Sequence, residues 1–400
     1  LIKKMLSVLT VGTMLILTGC MPWSDPDEPE VVKDTPKDKN ENVTVISQTN
    51  TKDYRTIHAD QPADARGYIG YAVSNRVDID EIEMGLRRLS KSVYDPGKYF
   101  FQAGQYINQT QLENMIKREL TEKQKKKAKK NDKKVGPPGF NPPLGKGKNV
   151  RERNEANPEI LSNVLEQDYL VKVKDGKYKL GGISLSLSFN DIYRDHVEDA
   201  EGKYYWAKKD LDNEKVKQKA KAYAEKALDR IRGIKGLKQV PVFIGLYLEA
   251  PPESIVPGQY FAKSYVKKGS NNIDNWKSVN ENHVLFPSKE AKDDYQTASQ
   301  NFGKFQDDVQ NYFPNSVGVH GFGFYRNKEL DNLTFEINIR FFDKTEIVSF
   351  ANYVGMLLNK KFPFPAAVPV QVYINSVNRP EAIITKQSKD ESANVHVYQH

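Results

Sequence analysis

Ile183-Ser184-Leu185-Ser186-Leu187-Ser188-Phe189 alternates large apolar and small polar residues without a break. Side chains in a strand point to opposite faces with period two, so this spacing predicts one apolar and one polar sheet face. The expectation drawn from it is a sheet with one face on a core and the other solvated. Downstream, Val216, Ala220, Tyr223, Ala227, Leu228 and Ile231 recur at three-and-four spacing among Lys, Glu and Gln, which predicts a long helix lying on that sheet. Val240 to Leu248 and Tyr260 to Val266 read as further strands. Upstream, Asn157-Pro158 followed by Ile160, Leu161, Val164 and Leu165 reads as a capped helix start, and Asp175-Gly176 as a hairpin turn.

The same order returns in the second half. Tyr295, Ala298, Phe302, Phe305, Val309 and Tyr312 mark a helix led by Ser288, then strands follow at Val317 to Tyr325 and Leu333 to Phe342. A helix carrying Ile347, Phe350, Val354, Leu357 and Leu358 comes next, and Val368-Pro369-Val370 opens a strand as Val240-Pro241-Val242 does earlier. The expected fold class is therefore α+β: a duplicated unit of antiparallel or mixed sheet with helices packed on one face. A small N-terminal α+β subdomain precedes it, with helices at Asp78 to Val93 and Leu112 to Leu120 and a strand near Tyr99.

Ahead of these units the composition changes. Lys3 and Lys4 precede an uncharged run from Met5 to Leu17, too short for the roughly 20 apolar residues that span a bilayer but matching a secretory signal. Leu17, Thr18 and Gly19 then lead into Cys20, the single cysteine of 400 residues. In this context Cys20 reads as a lipidation site whose thioether carries diacylglycerol, the one covalent group expected, with Leu17, Thr18 and Gly19 as the cleavage box; no other cofactor and no metal is expected. Two acyl chains hold a protein at a membrane where one holds it marginally. The location predicted is the outer face of the cytoplasmic membrane. An exported chain whose lone cysteine is acylated forms no disulfides.

The organisation expected is signal 1–19, anchored disordered tether 20–53, N-terminal subdomain 54–120, Lys/Pro-rich linker 121–156, first repeat 157–270, and second repeat with its leading helix 271–400. Net charge is +8, concentrated in the ten Lys and Arg from Lys117 to Lys134. That block suits an anionic lipid or wall polymer, and a local run of this kind does not call for nucleic acid.

The two repeats differ most between Phe189 and Asp212, where the first inserts a polar segment turning at Glu201-Gly202. Tyr204, Tyr205 and Trp206 are the candidate ligand surface there, because aromatic side chains bind at low entropic cost. His196 sits among carboxylates, without a second His at ligand spacing. No nucleophile elbow, zinc-binding His pair or nucleotide loop is present, so no catalytic residue is assigned. An extracellular enzyme whose site is assembled from distant residues is the alternative.

Tyr54-Arg55-Thr56, Ala65-Arg66-Gly67, Gly85-Leu86, Leu89-Ser90-Lys91 and above all Leu161-Ser162-Asn163-Val164-Leu165-Glu166-Gln167-Asp168 resemble the CamS family of sex pheromone precursor lipoproteins of Gram-positive bacteria. The likeness runs through Ser254-Ile255-Val256-Pro257-Gly258 to Pro380-Glu381-Ala382 and Val395-His396-Val397-Tyr398. It implies a membrane lipoprotein whose cleaved signal, in some members, yields a short apolar peptide that induces plasmid transfer. Here that peptide maps to Thr13 through Gly19, and its Thr18-Gly19 ending departs from the Ala-rich ending of active members.

Overall fold

The computed structural model of the chain describes residues 31–33, 53–57, 63–66, 78–131, 136–174, 177–312, 318–340, 343–387 and 392–399. The Asp175-Gly176 turn lies outside them. Among the described residues no helix is long and apolar enough to cross a membrane.

The first sheet gathers β1 (Val31–Lys33), β2 (Arg55–Thr56), β3 (Tyr99–Ala103), β4 (Leu161–Lys172), β5 (Lys177–Phe189), β8 (Val242–Leu248), β9 (Gln259–Val266) and β10 (Lys277–Ser278). Its order is β10-β9-β8-β5-β4-β3-β2, with β1 on β5. Around it run α1 (Ile79–Ser90), α2 (Gln109–Ile116), α3 (Glu122–Lys130), α4 (Val150–Ala156), the separate hairpin β6 (Ile192–Glu198) and β7 (Tyr204–Asp210), and α5 (Asn213–Arg232). The second sheet is β11 (Glu281–Phe286), β12 (Gly318–Arg326), β13 (Glu329–Asn338), β14 (Val370–Asn375), β15 (Pro380–Lys386) and β16 (Asn394–Val397), in that spatial order. Helices α6 (Lys289–Asp294) and α7 (Gln296–Gln310) precede β12, and α8 (Lys344–Lys360) joins β13 to β14.

The duplication is visible strand by strand. In each sheet three successive strands, β3-β4-β5 and β11-β12-β13, pair antiparallel, the first sheet carrying in addition β2 parallel to β3. The third then pairs parallel with the fourth, β5 with β8 and β13 with β14, and the last pairings are antiparallel again. Even the entry into the parallel pair repeats: Ile183 N–H donates to Pro241 O at 3.1 Å and Leu333 N–H to Pro369 O at 3.0 Å. Each crossover contains one helix, α5 or α8, as a parallel connection requires.

Two readings of the sequence are corrected. The segment through Leu165 is not a helix: Leu161–Lys172 is a strand, and the capping role passes to Asn141, whose Oδ1 accepts from Ile160 and Leu161 N–H, both at 2.9 Å. Nor is the Ser184 face solvated, for Ser184, Ser186 and Ser188 are all buried. Their faces carry separate cores. Ile183, Leu185, Leu187 and Phe189 pack with Ala220, Ala224 and Leu228 of α5, whereas Tyr169, Phe243, Tyr247 and Tyr260 meet Ile82, Leu86 and Leu89 of α1 on the serine side.

Tyrosines make that second core compatible with serines. Tyr260 Oη donates to Ile82 O at 2.7 Å and lies 2.9 Å from Ser186 Oγ. Tyr169 Oη is 2.6 Å from Ser90 Oγ and 3.3 Å from Ser184 Oγ. Small hydroxyls leave room for rings and satisfy the polar ends of Tyr169 and Tyr260, while the Tyr247 hydroxyl is buried without a hydrogen-bond partner among the described residues. Gly85 and Gly245 show how tight the fit is: a Cβ on either would stand 2.7 Å from the Tyr260 ring.

The second sheet has α7 and α8 on one face, where Phe302, Phe305, Phe350 and Leu357 join Phe335, Ile337 and Val372. The helix expected from Ser288 is broken in two at Tyr295, with the Ser288 hydroxyl accepting from Ala291 N–H at the first start. Arg88 of α1 ties the two sheets together. Its guanidinium makes a two-bond contact with Glu281 of β11, at 3.1 and 2.7 Å, lies 2.8 Å from Glu81, and sits over the Phe324 ring of β12.

Candidate functional site

The insertion between β5 and α5 folds as the β6–β7 hairpin, a two-stranded sheet of its own. Its turn is fixed by Asp199, whose Oδ1 accepts from Glu201 N–H at 3.1 Å and Lys203 N–H at 2.8 Å, and by Gly202 at φ +80°. Register places His196 opposite Trp206, Glu198 opposite Tyr204, and Arg194 opposite Lys208.

Period two divides the aromatic triplet. Tyr205 turns inward with Tyr193, Val197 and Ala207, packing against Val150 of α4. Tyr204 and Trp206 turn outward and are 55% and 68% exposed. Between them stands His196, stacked on Trp206 at 4.7 Å between ring centroids and tilted against Tyr204 at 4.8 Å. The outer face is thus a pile of three rings, flanked by Arg194 and Lys208 on one side and Glu198 on the other. A hydrogen bond from Tyr204 to Glu198 holds the phenol above its ordinary value.

The inner face fastens the hairpin down. Tyr193 Oη donates to Asn154 Oδ1 at 3.1 Å, and Lys208 N–H to Glu155 Oε1 at 3.1 Å. Arg118 lies 3.3 Å from Glu159 and donates to Asn157 O at 2.6 Å. Burial still pushes the Glu159 carboxyl up to about 7, with Arg118 opposing. The rings therefore project from a braced support, an arrangement that presents aromatic faces and an indole N–H to solvent.

A second feature left no linear signal. Beyond Ala103 the partner strand β3 ends, and a cavity of about 480 Å³ opens beside Val164 to Gln167. Its walls include Phe101, Ile107 and Leu165, and its rim carries Arg66 paired with Glu83 at 2.7 and 3.0 Å. Glu166 Oε2 accepts from Tyr106 and Ile107 N–H at 3.1 and 2.8 Å, and Asp168 Oδ2 from Gln105 N–H at 3.0 Å. Burial raises both carboxyls, and the neighbouring Glu166 charge raises Asp168 further. Glu166 and Asp168 share one face because Leu161–Lys172 is a strand; read as a helix, that stretch concealed the pair. One oxygen of each carboxyl, Glu166 Oε2 and Asp168 Oδ2, is taken up by the backbone, while Glu166 Oε1 and Asp168 Oδ1 are buried without a hydrogen-bond partner among the described residues.

Cys20, the box Leu17, Thr18 and Gly19, and the segment Thr13 to Gly19 lie outside the described residues. The Lys117 to Lys134 block is described up to residue 131; α3 within it buries no side chain, and Lys125 pairs with Glu119 and Glu122. Among the described residues no three of His, Cys, Asp and Glu are grouped to hold a metal ion.

The family model described as CamS sex pheromone cAM373 precursor matches residues 61–392. Two solved structures are similar over most of the chain. One is the crystal structure of a sex pheromone precursor from Lactobacillus salivarius subsp. salivarius UCC118, at 28% identity and TM-score 0.73, covering 88% of this chain and 97% of that one. The other is the C-terminal domain of the sex pheromone staph-cAM373 precursor from Staphylococcus aureus, at 27% identity and TM-score 0.65, covering 82% and 99%. Comparison with curated proteins gives no match.

Proposed function

The chain belongs to the CamS family of sex pheromone precursors, and on that footing we propose that it is a lipoprotein held by diacylglycerol on Cys20 at the outer face of the cytoplasmic membrane, with a body that binds a component of the envelope. The stretch Leu17-Thr18-Gly19-Cys20 behind an uncharged run carries the anchoring. The outward rings of Tyr204 and Trp206, braced from below, support the binding role. The exposed lysines of α3, inside the Lys117 to Lys134 block, are a further contact for an anionic wall polymer.

Cell fractionation tests the anchor: wild type is expected in the membrane fraction and Cys20→Ala in the soluble fraction, and equal membrane retention of both would sink the reading. In the same cells, Tyr204→Ala with Trp206→Ala is expected to reduce co-sedimentation with isolated cell walls at least tenfold, while unchanged sedimentation would remove the hairpin from the binding role.

Family membership favours a second product. Cleavage before Cys20 releases the signal, whose last seven residues, Thr13 to Gly19, are the candidate pheromone. Synthetic peptide of that sequence should induce conjugation in a responsive recipient at low concentration. Silence across recipients that answer other peptides of the family would limit the function to the anchored body.

A further inference from the structure

The first sheet has two unlike ends. The hairpin with Trp206 follows Phe189, at the end where β5 finishes and β4 begins. The opposite end is built from the β4–β5 connection, the start of β3 and the start of β2. Pairing of β5 with β8 reaches only to Ile183, so the strand continues six residues further, to Lys177, beyond its neighbour. At about 3.3 Å per residue this carries the hairpin, the finger, roughly 20 Å past β8, while β3 stays beside β4 as far as Val171.

The finger is basic. Lys172, Lys174 and Lys177 flank its turn, and Lys98 precedes Tyr99, which pairs with Val171. None of these four lysines takes part in an ion pair among the described residues; the acids in these stretches of sequence are Asp95, in the turn before β3, and Asp175, which lies outside the described residues. Val173 is exposed among them. An exposed apolar side chain with a lysine on either side of it in the chain, Lys172 and Lys174, matches the boundary between anionic headgroups and acyl chains.

The chain itself enters at this end. Val31–Lys33 pairs along the finger, Val31 with Lys179 and Lys33 with Lys177, on the edge that β8 leaves open. Arg55 pairs beside Phe100 at the same end. Cys20 stands eleven residues before Val31. At 3.3–3.6 Å per residue, that length of chain spans at most about 40 Å.

We propose that the β4–β5 finger is a membrane foot: Lys98, Lys172, Lys174 and Lys177 dock on anionic phospholipid headgroups, with Val173 seated at their boundary. This rests on the lipoprotein reading for its setting, since the anchor brings the foot within reach of the bilayer. The foot differs from the Lys117 to Lys134 block in place and in strand geometry. It also orients the molecule, because the Trp206 hairpin is then carried at the end facing away from the membrane.

The test uses the chain from residue 20 onward with Cys20→Ala, which keeps every described residue and removes the lipid. Vesicles of phosphatidylcholine with about one-third phosphatidylglycerol are expected to bind it, pure phosphatidylcholine vesicles are not, and added salt should release it. Lys172→Glu, Lys174→Glu and Lys177→Glu together should weaken that binding about 100-fold, with an unchanged circular dichroism spectrum. Lys126→Glu, Lys127→Glu and Lys129→Glu in α3 should leave it within threefold. The proposal is overturned if the foot variant binds like its parent, if the α3 variant alone loses binding, or if the parent binds soluble polyglycerol phosphate but not the anionic vesicles. Failure of the anchor is read separately, in the Cys20→Ala cell fractionation, and leaves the vesicle result standing.

Discussion

Glu249 follows the last residue of β8, and its N–H continues the parallel ladder to Phe189 O at 2.9 Å. That step carries the carboxyl into the interior, where Ser162 Oγ stands between Glu249 Oε1 and Ser188 O. Burial pushes the acid from 4.5 up to about 8, the Ser162 hydrogen bond opposing and the Asp78 charge adding. The folded chain thus keeps a proton that the unfolded chain releases above 4.5. Stability from this group is full below that value and falls as pH rises toward 8, by at most about 1.4 kcal/mol per pH unit. Glu249→Gln keeps the shape and removes the titration. Its stability relative to wild type should rise by at least about 1 kcal/mol between about pH 5 and about pH 8 in urea unfolding. A difference that does not change with pH would show that Glu249 is ionised in the fold. Glu166 and Asp168 are raised too and titrate in the same direction, so the comparison is made against wild type at each pH.

Helix α1 is the element on which the serine reading turned. Alternation located β5 and its two faces correctly, but the character of a face depends on what covers it, and α1 is nearly a hundred residues upstream. Ser184 and Ser186 look solvated from their own neighbours, while the Tyr169 and Tyr260 hydroxyls that satisfy them come from other strands. A similar limit explains Leu161–Lys172: Asn157-Pro158 is a sound helix start locally, and pairing with β5 along the whole strand overrides it. The helices with long apolar stripes, α5 and α8, were legible because their own spacing states which side is buried. The hairpin turn at Gly202 was legible as chemistry, and the outward pair Tyr204 and Trp206 followed from it once strand period was applied.

Because α1 also reaches the second sheet, its outer face gives a prediction. Arg88 is about one-fifth exposed and pairs with both Glu81 and Glu281. Arg88→Ala leaves Glu281 largely buried without its partner and should cost about 2–3 kcal/mol, read as a lower urea midpoint. Arg88→Met with Glu281→Gln should recover part of that loss. A cost under about 0.5 kcal/mol for the single variant would remove Arg88 from the junction.

At the scale of the molecule, the repeat was readable from the order of elements and the recurring Val-Pro-Val, and the reason lies in the backbone. Proline has no N–H, yet its carbonyl is free to accept. At Pro241 and Pro369 that carbonyl takes the first bond of the parallel pair, so the tripeptide marks the same structural event twice. The cavity beside Glu166 was unreadable for a complementary cause: its walls come from Arg66, Glu83, Phe101 and Ile107 on separate elements, joined only by folding.

The strands that close the first sheet are the shortest in it. β2 and β10 have two residues each, all exposed, and contribute Arg55 and Lys277 at the two borders. A sheet that tapers to charged stubs offers little backbone for another copy to add to. In the membrane setting proposed above, where copies would crowd on a two-dimensional surface, that taper is a safeguard against aggregation, letting copies stand side by side without knitting into fibres.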